Sequence, residues 1–465
     1  MKKNITALVL SVALSTQLLA QPRSLAECRR LALQYNEQMQ MADNAVRQAE
    51  LDRKIAFAQY LPKIDGSFTT ILMKDQDIIG MSLQARGTYM AGLNITEPLY
   101  VGGRITAANR LAAIGEKVSE EQRRKTEMQL IASVDHAYYQ LVAVRSKVQM
   151  LEAYARQIQS LYDKVQLSVN AELATNNDLL RITAKQSEIA YQLQKARNGE
   201  QLCQLALANI IGTDFEASIT PTDTLPSAPQ PSAPAASLPS SSASLSSVPA
   251  AAQSSVPYVA LSTQLDEDFS SRPDLQLLNW QVKAKQAALK ATRANYLPTV
   301  AIVGRLSYYD NLKLKGAIRN LDGTPITISH TFSDFIPIAM LNVSVPMFHW
   351  GAELKKVKKA KIDVENARLQ LQQGERGMHV EVRQAVQNLT DCEQMVRTAT
   401  LSQQQADENL RMMRLRYDTQ MATMTDLLDA QSQWQQAHSN LIEAQTQQRI
   451  YETEYLRVTG KLTVQ

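Results

Sequence analysis

The sequence has little cysteine, glycine or phenylalanine, and each shortage argues against a class of protein. Its three cysteines show no CxxC spacing, which argues against a disulfide framework and against a zinc site. Only 16 glycines and 7 phenylalanines occur in 465 residues, while glutamine, alanine, leucine and arginine fill long stretches. This bias towards good helix formers argues against a nucleotide-binding α/β enzyme and predicts long helices.

The chain also lacks an excess of either charge. It has 49 lysines and arginines against 45 acidic residues, so the formal net charge is only +4 and a dedicated nucleic-acid binder is disfavoured. The five histidines are scattered, and no nucleophile has a base at a suggestive spacing, so we predict no catalytic residue, no metal site and no bound cofactor. The pair Asp135-His136 is expected on the exposed surface of a helix.

Long apolar runs are missing beyond the N-terminus, where none approaches the ~20 residues of a membrane-spanning helix. Residues 1–20 combine Lys2 and Lys3 with an apolar stretch from Ile5 to Leu19, which is typical of a secretory signal peptide cleaved near Ala20. The mature protein is therefore expected to be exported without transmembrane helices. A membrane role would then require β-strands.

An internal duplication organises the sequence. The Tyr-Leu-Pro at 60–62 recurs 236 residues later at 296–298, and the Asp-Leu-Leu at 178–180 recurs 248 residues later at 426–428. The larger offset means that the second copy carries an insertion, which falls within 311–330. We predict that this insertion is a surface loop, because insertions confined to one place are usually loops.

The two repeats, 21–220 and 258–465, are each predicted to contain a helix, two strands, one long helix and a return helix. Apolar positions alternately four and three apart run from Leu130 to Val165 and recur 248 residues later, interrupted only by Gln403. This heptad seam predicts coiled-coil hairpins at ~104–211 and ~352–458. A long helix of about 65 residues would span ~98 Å.

A linker rich in Pro, Ser and Ala, residues 221–257, separates the repeats. It has almost no charge and no apolar period. We therefore expect it to be extended or disordered and to act as a tether between the two repeats.

Each repeat carries two alternating stretches, placed at ~64–73 and ~87–96 in the first repeat and at ~299–309 and ~335–345 in the second. Alternation of this length suits barrel strands with lipid outside and water inside. The alternative is a soluble antiparallel sheet packed on one face. Four strands cannot close a barrel alone, so a barrel would require several chains.

In these features the sequence resembles the TolC-type outer-membrane efflux channels, also called outer membrane factors. The resemblance rests on the duplicated Tyr-Leu-Pro before a strand, on the Glu-Pro-Leu-Tyr-Val-Gly-Gly-Arg at 97–104, on Arg416-Tyr417 and on the Asp-Leu-Leu-Asp-Ala-Gln at 426–431. It implies a mainly α fold with β, in which three chains form a 12-stranded β-barrel continued by a 12-helix α-barrel.

The same resemblance implies a passive exit duct of a tripartite efflux or secretion system, and not an enzyme. The homotrimer would lie in the lipid of the outer membrane of a Gram-negative bacterium, extend into the periplasm and be gated at its periplasmic end. A periplasmic adaptor (membrane fusion protein) would join it to an inner-membrane RND or ABC transporter, with the cargo left open. The alternative is a periplasmic coiled-coil adaptor, although adaptors usually have one helical hairpin and this chain has two.

For the gate, the resemblance implies four residues near the turns between the long and return helices. Asp426 and Asp429, three residues apart on one helix face, correspond to carboxylates that ring the periplasmic aperture. Tyr417 corresponds to an aromatic residue just before the turn, and Asp178 is the counterpart of Asp426 in the first repeat. The alternative for these acids is a capping or dipole role at a helix N-terminus.

The turns themselves are the expected adaptor-docking tips. Their residues are Leu173, Ala174 and Thr175 in the first repeat and Met421, Ala422 and Thr423 in the second. An ordinary tight turn is the alternative, since any helical hairpin needs small or polar residues there. The sequence departs from the family at Glu172 and Gln420, where glycine is usual, and at Ala422, where an arginine is sometimes found.

Overall fold

The computed structural model describes residues 22–463 except 73, 75, 79–80, 85, 173, 214–219, 224–269, 320–321, 323 and 348–349. The predicted signal peptide, the linker from 224 onwards and Leu173 therefore lie outside the described residues. The described chain is mainly helical.

The elements of the first repeat are β1 (Pro22–Arg23), α1 (Leu25–Tyr35), α2 (Glu37–Ala58), β2 (Lys63–Leu72), β3 (Gln76–Ile78), β4 (Met81–Gln84), β5 (Arg86–Val101), α3 (Arg104–Asn170), α4 (Asn176–Ile211) and β6 (Thr220–Pro221). Those of the second repeat are α5 (Pro273–Ala294), β7 (Thr299–Arg319), β8 (Pro325–Ser344), α6 (Ala352–Asp418) and α7 (Met424–Val458). The two long helices, α3 and α6, each have 67 residues.

The prediction that the insertion at 311–330 is a surface loop is wrong. β7 continues to Arg319 and β8 already begins at Pro325, and the two strands pair from Thr299–Ser344 to Arg319–Pro325 with one irregularity. The inserted residues alternate, with Leu-Lys-Leu-Lys at 312–315 and Ile-Thr-Ile-Ser at 326–329. This period of two lets the insertion pair its backbone groups by lengthening the hairpin.

One compact unit comprises Met41–Arg124 and Pro273–Glu375 and contains the antiparallel sheet. In this sheet β5 lies between β2 and β7, and β8 pairs with the other side of β7. β4 pairs with β7 beyond the end of β5, and β3 pairs with β4. Within the described residues, β2 and β8 each have one side without a partner strand.

The other unit comprises Met1–Gln40, Lys125–Arg272 and Arg376–Gln465, and helices dominate its described part. One core in it contains Tyr138, Leu141, Leu207 and Ile211, all fully buried. Tyr138 and Leu141 come from α3, while Leu207 and Ile211 come from α4. Leu141, a residue of the heptad seam, thus shares one core with the return helix.

A buried ion pair in this unit corrects the prediction that Asp135 is exposed. Asp135 is fully buried, and it accepts hydrogen bonds from the Nε and Nη2 of Arg29 at 2.7 and 2.6 Å. The hydroxyl of Thr453 donates to the same carboxylate at 2.9 Å. Burial acts to lower the pKa of Arg29, but the hydrogen bond to Asp135 and the negative charge of that carboxylate together raise the pKa above its ordinary value. The hydrogen bonds from Arg29 and Thr453 offset the desolvation of the Asp135 carboxylate and so allow it to be buried.

Candidate functional site

Among the residues that the structure describes, each hairpin turn contains one left-handed residue, and neither of the two is glycine. Glu172 has φ 61° and Gln420 has φ 60°. These are the two positions at which the resemblance leads us to expect glycine. The chain therefore makes the tight turn with a side chain present, in a conformation that costs an L-residue about 1–2 kcal/mol.

A capping box begins the return helix after each turn. The N–H and hydroxyl of Thr423 donate to Oδ2 of Asp426 at 2.9 and 2.7 Å, and the N–H of Asp426 donates back to the Thr423 hydroxyl at 3.2 Å. Thr175 and Asp178 form the same box in the first repeat. Both acids therefore act as helix caps, which was the alternative that the sequence left open.

Two acidic residues near the start of α7 are exposed, one of which belongs to the capping box. Asp426 and Asp429 are both exposed. The hydrogen bonds from the hydroxyl and the N–H of Thr423 hold the pKa of Asp426 below its ordinary value, so this carboxylate is ionised at neutral pH. Capping and a role at an aperture are compatible, because a cap uses only part of the carboxylate.

Tyr417 lies before the second turn and is half-buried against a cluster that includes Leu410, Met424 and Leu427. Burial raises the pKa of Tyr417, and the nearby carboxylate of Asp178 raises it further. The structure therefore brings Tyr417 of the second hairpin close to Asp178 of the first. Spacing along the sequence gave no sign of this pairing.

Polar contacts join the two hairpins near their tips. Arg181 on α4 donates to the hydroxyl of Thr425 on α7. One turn later, Lys185 donates to the hydroxyl of Ser432 at 3.2 Å. The long helices are also connected, because Lys164 lies 3.7 Å from Asp418. Ion pairs and hydrogen bonds of this exposed kind are individually weak, so such a network can rearrange.

Sequence reasoning missed a polar cluster farther along the second hairpin. The indole N–H of Trp434 donates to Oδ1 of Asp407 at 2.5 Å, and Nε2 of His438 lies 3.0 Å from the same oxygen. Gln403 donates to the other carboxylate oxygen at 2.9 Å. The one sign of this cluster was Gln403 itself, which interrupts the heptad seam.

The predicted docking residues lie at the turns with different exposures. Met421 is 80% exposed, and Thr175 and Thr423 are also exposed. Ala174 and Ala422 are half-buried. The tip of the second hairpin thus presents an apolar methionine side chain to solvent, beside the exposed cap.

The sheet has one apolar face that all its longer strands share. Neighbouring residues on this face are Phe68, Ala91, Tyr308 and Phe335 in one row and Gly66, Leu93, Leu306 and Pro337 in the next. Rows on the opposite face are Asp65, Asn94, Arg305 and Ile338, and Ser67, Gly92, Ser307 and Ile336. On this second face Nε of Arg305 donates to Oδ1 of Asn94 at 2.9 Å. The apolar face is exposed, with Phe68 at 70% and Phe335 at 55%.

The part of the chain that the structure describes lacks two further features. None of its helices is both long enough and apolar enough to cross a membrane. No three side chains of His, Cys, Asp or Glu are placed there to hold a metal ion.

The same architecture occurs in known proteins. The model of the outer membrane efflux protein family matches residues 29–213 and 265–461. Among solved structures, CusC is 16% identical, with 94% of this chain and 91% of that chain covered and a TM-score of 0.72. The outer membrane channel CmeC of Campylobacter jejuni is 17% identical, with 94% and 85% covered and a TM-score of 0.72. VceC of Vibrio cholerae, an outer membrane protein, is 16% identical, with 94% and 96% covered and a TM-score of 0.70. No curated protein matches the chain significantly.

Proposed function

Since the chain belongs to the outer membrane efflux protein family, we propose that it is the exit duct of a tripartite efflux or secretion system. The duct is a passive tunnel in the outer membrane of a Gram-negative bacterium and extends into the periplasm. An inner-membrane RND or ABC transporter drives export, and a periplasmic adaptor joins this transporter to the duct.

The observation that carries the proposal is the two-faced sheet with unpaired edges. Lipid cannot satisfy the free N–H and C=O groups along β2 and β8, so these edges must find partner strands. In a homotrimer, β8 of one copy would pair with β2 of the next and close a barrel of 12 strands. The exposed apolar face would then meet lipid and the polar face would line water.

A disulfide experiment tests this assembly. Cysteine replaces Ser67 on β2 and, in separate variants, Ile336, Ile338 or Met340 on β8. We expect at least one register to give covalent dimers and trimers on non-reducing gels after oxidation in membranes. The matched control combines Ser67→Cys with Ser307→Cys on β7, which β5 separates from β2, and should give none.

Monomers in every β2–β8 combination would contradict the trimeric duct. A soluble monomer or hexamer, without detergent-resistant trimers, would instead favour a periplasmic adaptor. Adaptor binding has its own test at the tips, where Ala174→Arg or Ala422→Glu should leave trimers intact and abolish export. Unchanged export and unchanged cross-linking to the adaptor would move the docking site elsewhere.

The gate is the second part of the proposal and rests on the exposed carboxylates of Asp426 and Asp429. Three copies would place six such groups around one axis, with Tyr417 and Asp178 beside the turns. At ~7 Å and an effective dielectric of about 20–80, each like-charge pair repels by roughly 0.6–2.4 kcal/mol. A closed tip should therefore attract cations and bind a polyvalent one.

Planar bilayers test the gate. Asp426→Asn with Asp429→Asn should lower the cation preference and remove block by a trivalent cation, while trimers remain stable. Asn still accepts a hydrogen bond at the cap, so this change separates charge from capping. An unchanged reversal potential together with unchanged block would show that the two acids serve only the helix.

A further inference from the structure

The exposed apolar face of the sheet does not stop where β8 ends. Leu341 and Val343 on β8 are 65% and 54% exposed, and the alternation continues beyond the strand at Val345 and Met347, which are 50% and 89% exposed. Trp350, in the turn before α6, is 88% exposed. An apolar stripe therefore follows β8 and passes its end.

Five lysines come directly after this stripe, in the first turns of α6, and Lys356 pairs with Glu353. Leu354 is 61% exposed, and Lys355, Lys358, Lys359 and Lys361 are all exposed. Across the described part of the chain, none of these four lysines forms an ion pair. We call them the α6 lysine cluster.

The cluster does not belong to the packed side of α6. Val364 and Ala367 are buried and mark the side by which the helix packs. Lys358 lies one turn after Leu354 on the other side, where both side chains are exposed. The exposed surface therefore changes from apolar to cationic within about 6 Å along the helix.

The first repeat shows that the fold does not require these charges. The offset of 248 pairs the four lysines with Ala107, Arg110, Leu111 and Ala113. One positive charge thus stands where the second repeat has four, although both segments form the start of a 67-residue helix. Because only the second repeat carries these charges, helix formation does not explain them, and the surroundings of the start of α6 explain them better.

We propose that the α6 lysine cluster binds the phosphate headgroups of anionic phospholipids at the periplasmic side of the outer membrane. The proposal rests on the proposed function, which places the apolar face of the sheet in lipid. Met347 and Trp350 then lie in the interfacial layer, where tryptophan is enriched. The lysine stems cover apolar surface while their ammonium groups reach the phosphates.

The order of chemistry along the stripe favours lipid over other anionic partners. From β8 to α6 the exposed surface is apolar at Leu341 and Val343, aromatic at Trp350 and cationic at Lys358. A bilayer presents hydrocarbon, interface and headgroup in that same order. A carboxylate-bearing polymer would account for the lysines but not for the apolar stripe that leads to them.

The test uses the full-length protein reconstituted in vesicles of phosphatidylethanolamine, with or without phosphatidylglycerol. Native mass spectrometry after extraction measures how much phosphatidylglycerol the protein retains. The midpoint of unfolding measures how much this lipid stabilises the protein. Each lysine near an anionic surface contributes about fivefold to binding, so Lys358→Gln with Lys361→Gln should weaken retention by roughly 5- to 25-fold. The control Lys164→Gln with Lys195→Gln removes exposed lysines of α3 and α4 in the unit that does not contain the sheet, and it should match the wild type.

Equal retention by the two double variants would overturn the proposal. Protection by inorganic phosphate without any dependence on lipid would overturn it as well, because it would assign the cluster to a free anion. The proposal would also be overturned if Lys358→Gln with Lys361→Gln lost binding to purified peptidoglycan or to the adaptor while its lipid retention stayed unchanged. Failure of the wild type to enter any vesicle would overturn the duct itself, which distinguishes that result from loss of the lipid site alone.

Discussion

The two repeats are alike at their hairpin turns and different in their strands. Glu172 and Gln420 have the same left-handed conformation, and Thr175 and Thr423 cap the return helices in the same way. In contrast, β7 and β8 are single strands of 21 and 20 residues, whereas β2 and β5 are shorter and are supplemented by β3 and β4. The turns and caps that a helical hairpin needs therefore match between the repeats, whereas the lengths of their strands differ.

The largest difference that we expect between the repeats concerns their ion pairs. In the first repeat the carboxylate is the buried partner, because Asp135 is fully buried and Arg29 is 14% exposed. In the second repeat the arginine is the buried partner, because Arg272 is 3% exposed and Glu381 is 53% exposed. Asp135→Ala leaves a charge without its partner and should lower the free energy of unfolding by about 3–5 kcal/mol. Glu381→Ala should lower it less, because water already reaches that carboxylate, but by more than the ~1 kcal/mol of a fully exposed pair, because it takes a partner from the buried guanidinium of Arg272. Denaturant titration in detergent compares the two, and equal losses would show that burial does not decide the difference.

The glycines that end the return helices should respond alike, because both have positive φ. Gly212 and Gly460 have φ 76° and 73°, so alanine at either position should cost about 1–2 kcal/mol. A Cβ at Gly212 would lie 2.9 Å from the carbonyl oxygen of Tyr35, a backbone atom that cannot easily move. At Gly460 the nearest atom, also at 2.9 Å, would be the hydroxyl oxygen of Ser271, which can turn away. Gly212→Ala should therefore be the more destabilising of the two in the same titration. A neutral result at both sites would contradict the left-handed caps.

The caps at the tips should be equivalent between the repeats. Thr175→Ala and Thr423→Ala should each cost about 1 kcal/mol, as loss of an N-cap side chain usually does. Because the pKa of Asp426 is lowered, the stability that this carboxylate adds is present above its ordinary pKa and is lost as the pH falls through the lowered pKa. In Thr423→Ala the pKa of Asp426 should rise towards 3.8, which an NMR titration would detect. No change would mean that the box does not form in solution.

The smallest expected effects are gains in stability at the left-handed turn residues. Glu172→Gly and Gln420→Gly remove the steric conflict at positive φ and should each stabilise the protein by about 0.5–1 kcal/mol. The control Gln420→Ala keeps a Cβ and should bring no such gain. Thermal unfolding of the three variants side by side measures the effect, and destabilisation by both glycines would indicate contacts that the side chains make in the assembled protein.

Local patterns predicted those elements whose formation depends on neighbours in sequence. Apolar residues at heptad spacing from Leu130 onwards predicted the long helix that the structure shows as α3. The same kind of reasoning failed at Asp135, because a single acidic residue in a helix is usually exposed and nothing near it in sequence announces Arg29 or Thr453. It failed again at 311–330, where a repeat comparison identified the insertion but not the strand pairing that absorbs it.

The sequence by itself determined the duplication, the long helices with their return helices, and the alternating faces of the strands, because these follow from the period of apolar side chains along one element. Only the tertiary structure decided that Asp135 is buried, that Tyr417 lies near the carboxylate of Asp178 and that the apolar faces of four strands coincide. Each of these depends on which elements become neighbours. That choice is made by burial and backbone pairing between residues far apart in the chain, and no short stretch of sequence records it.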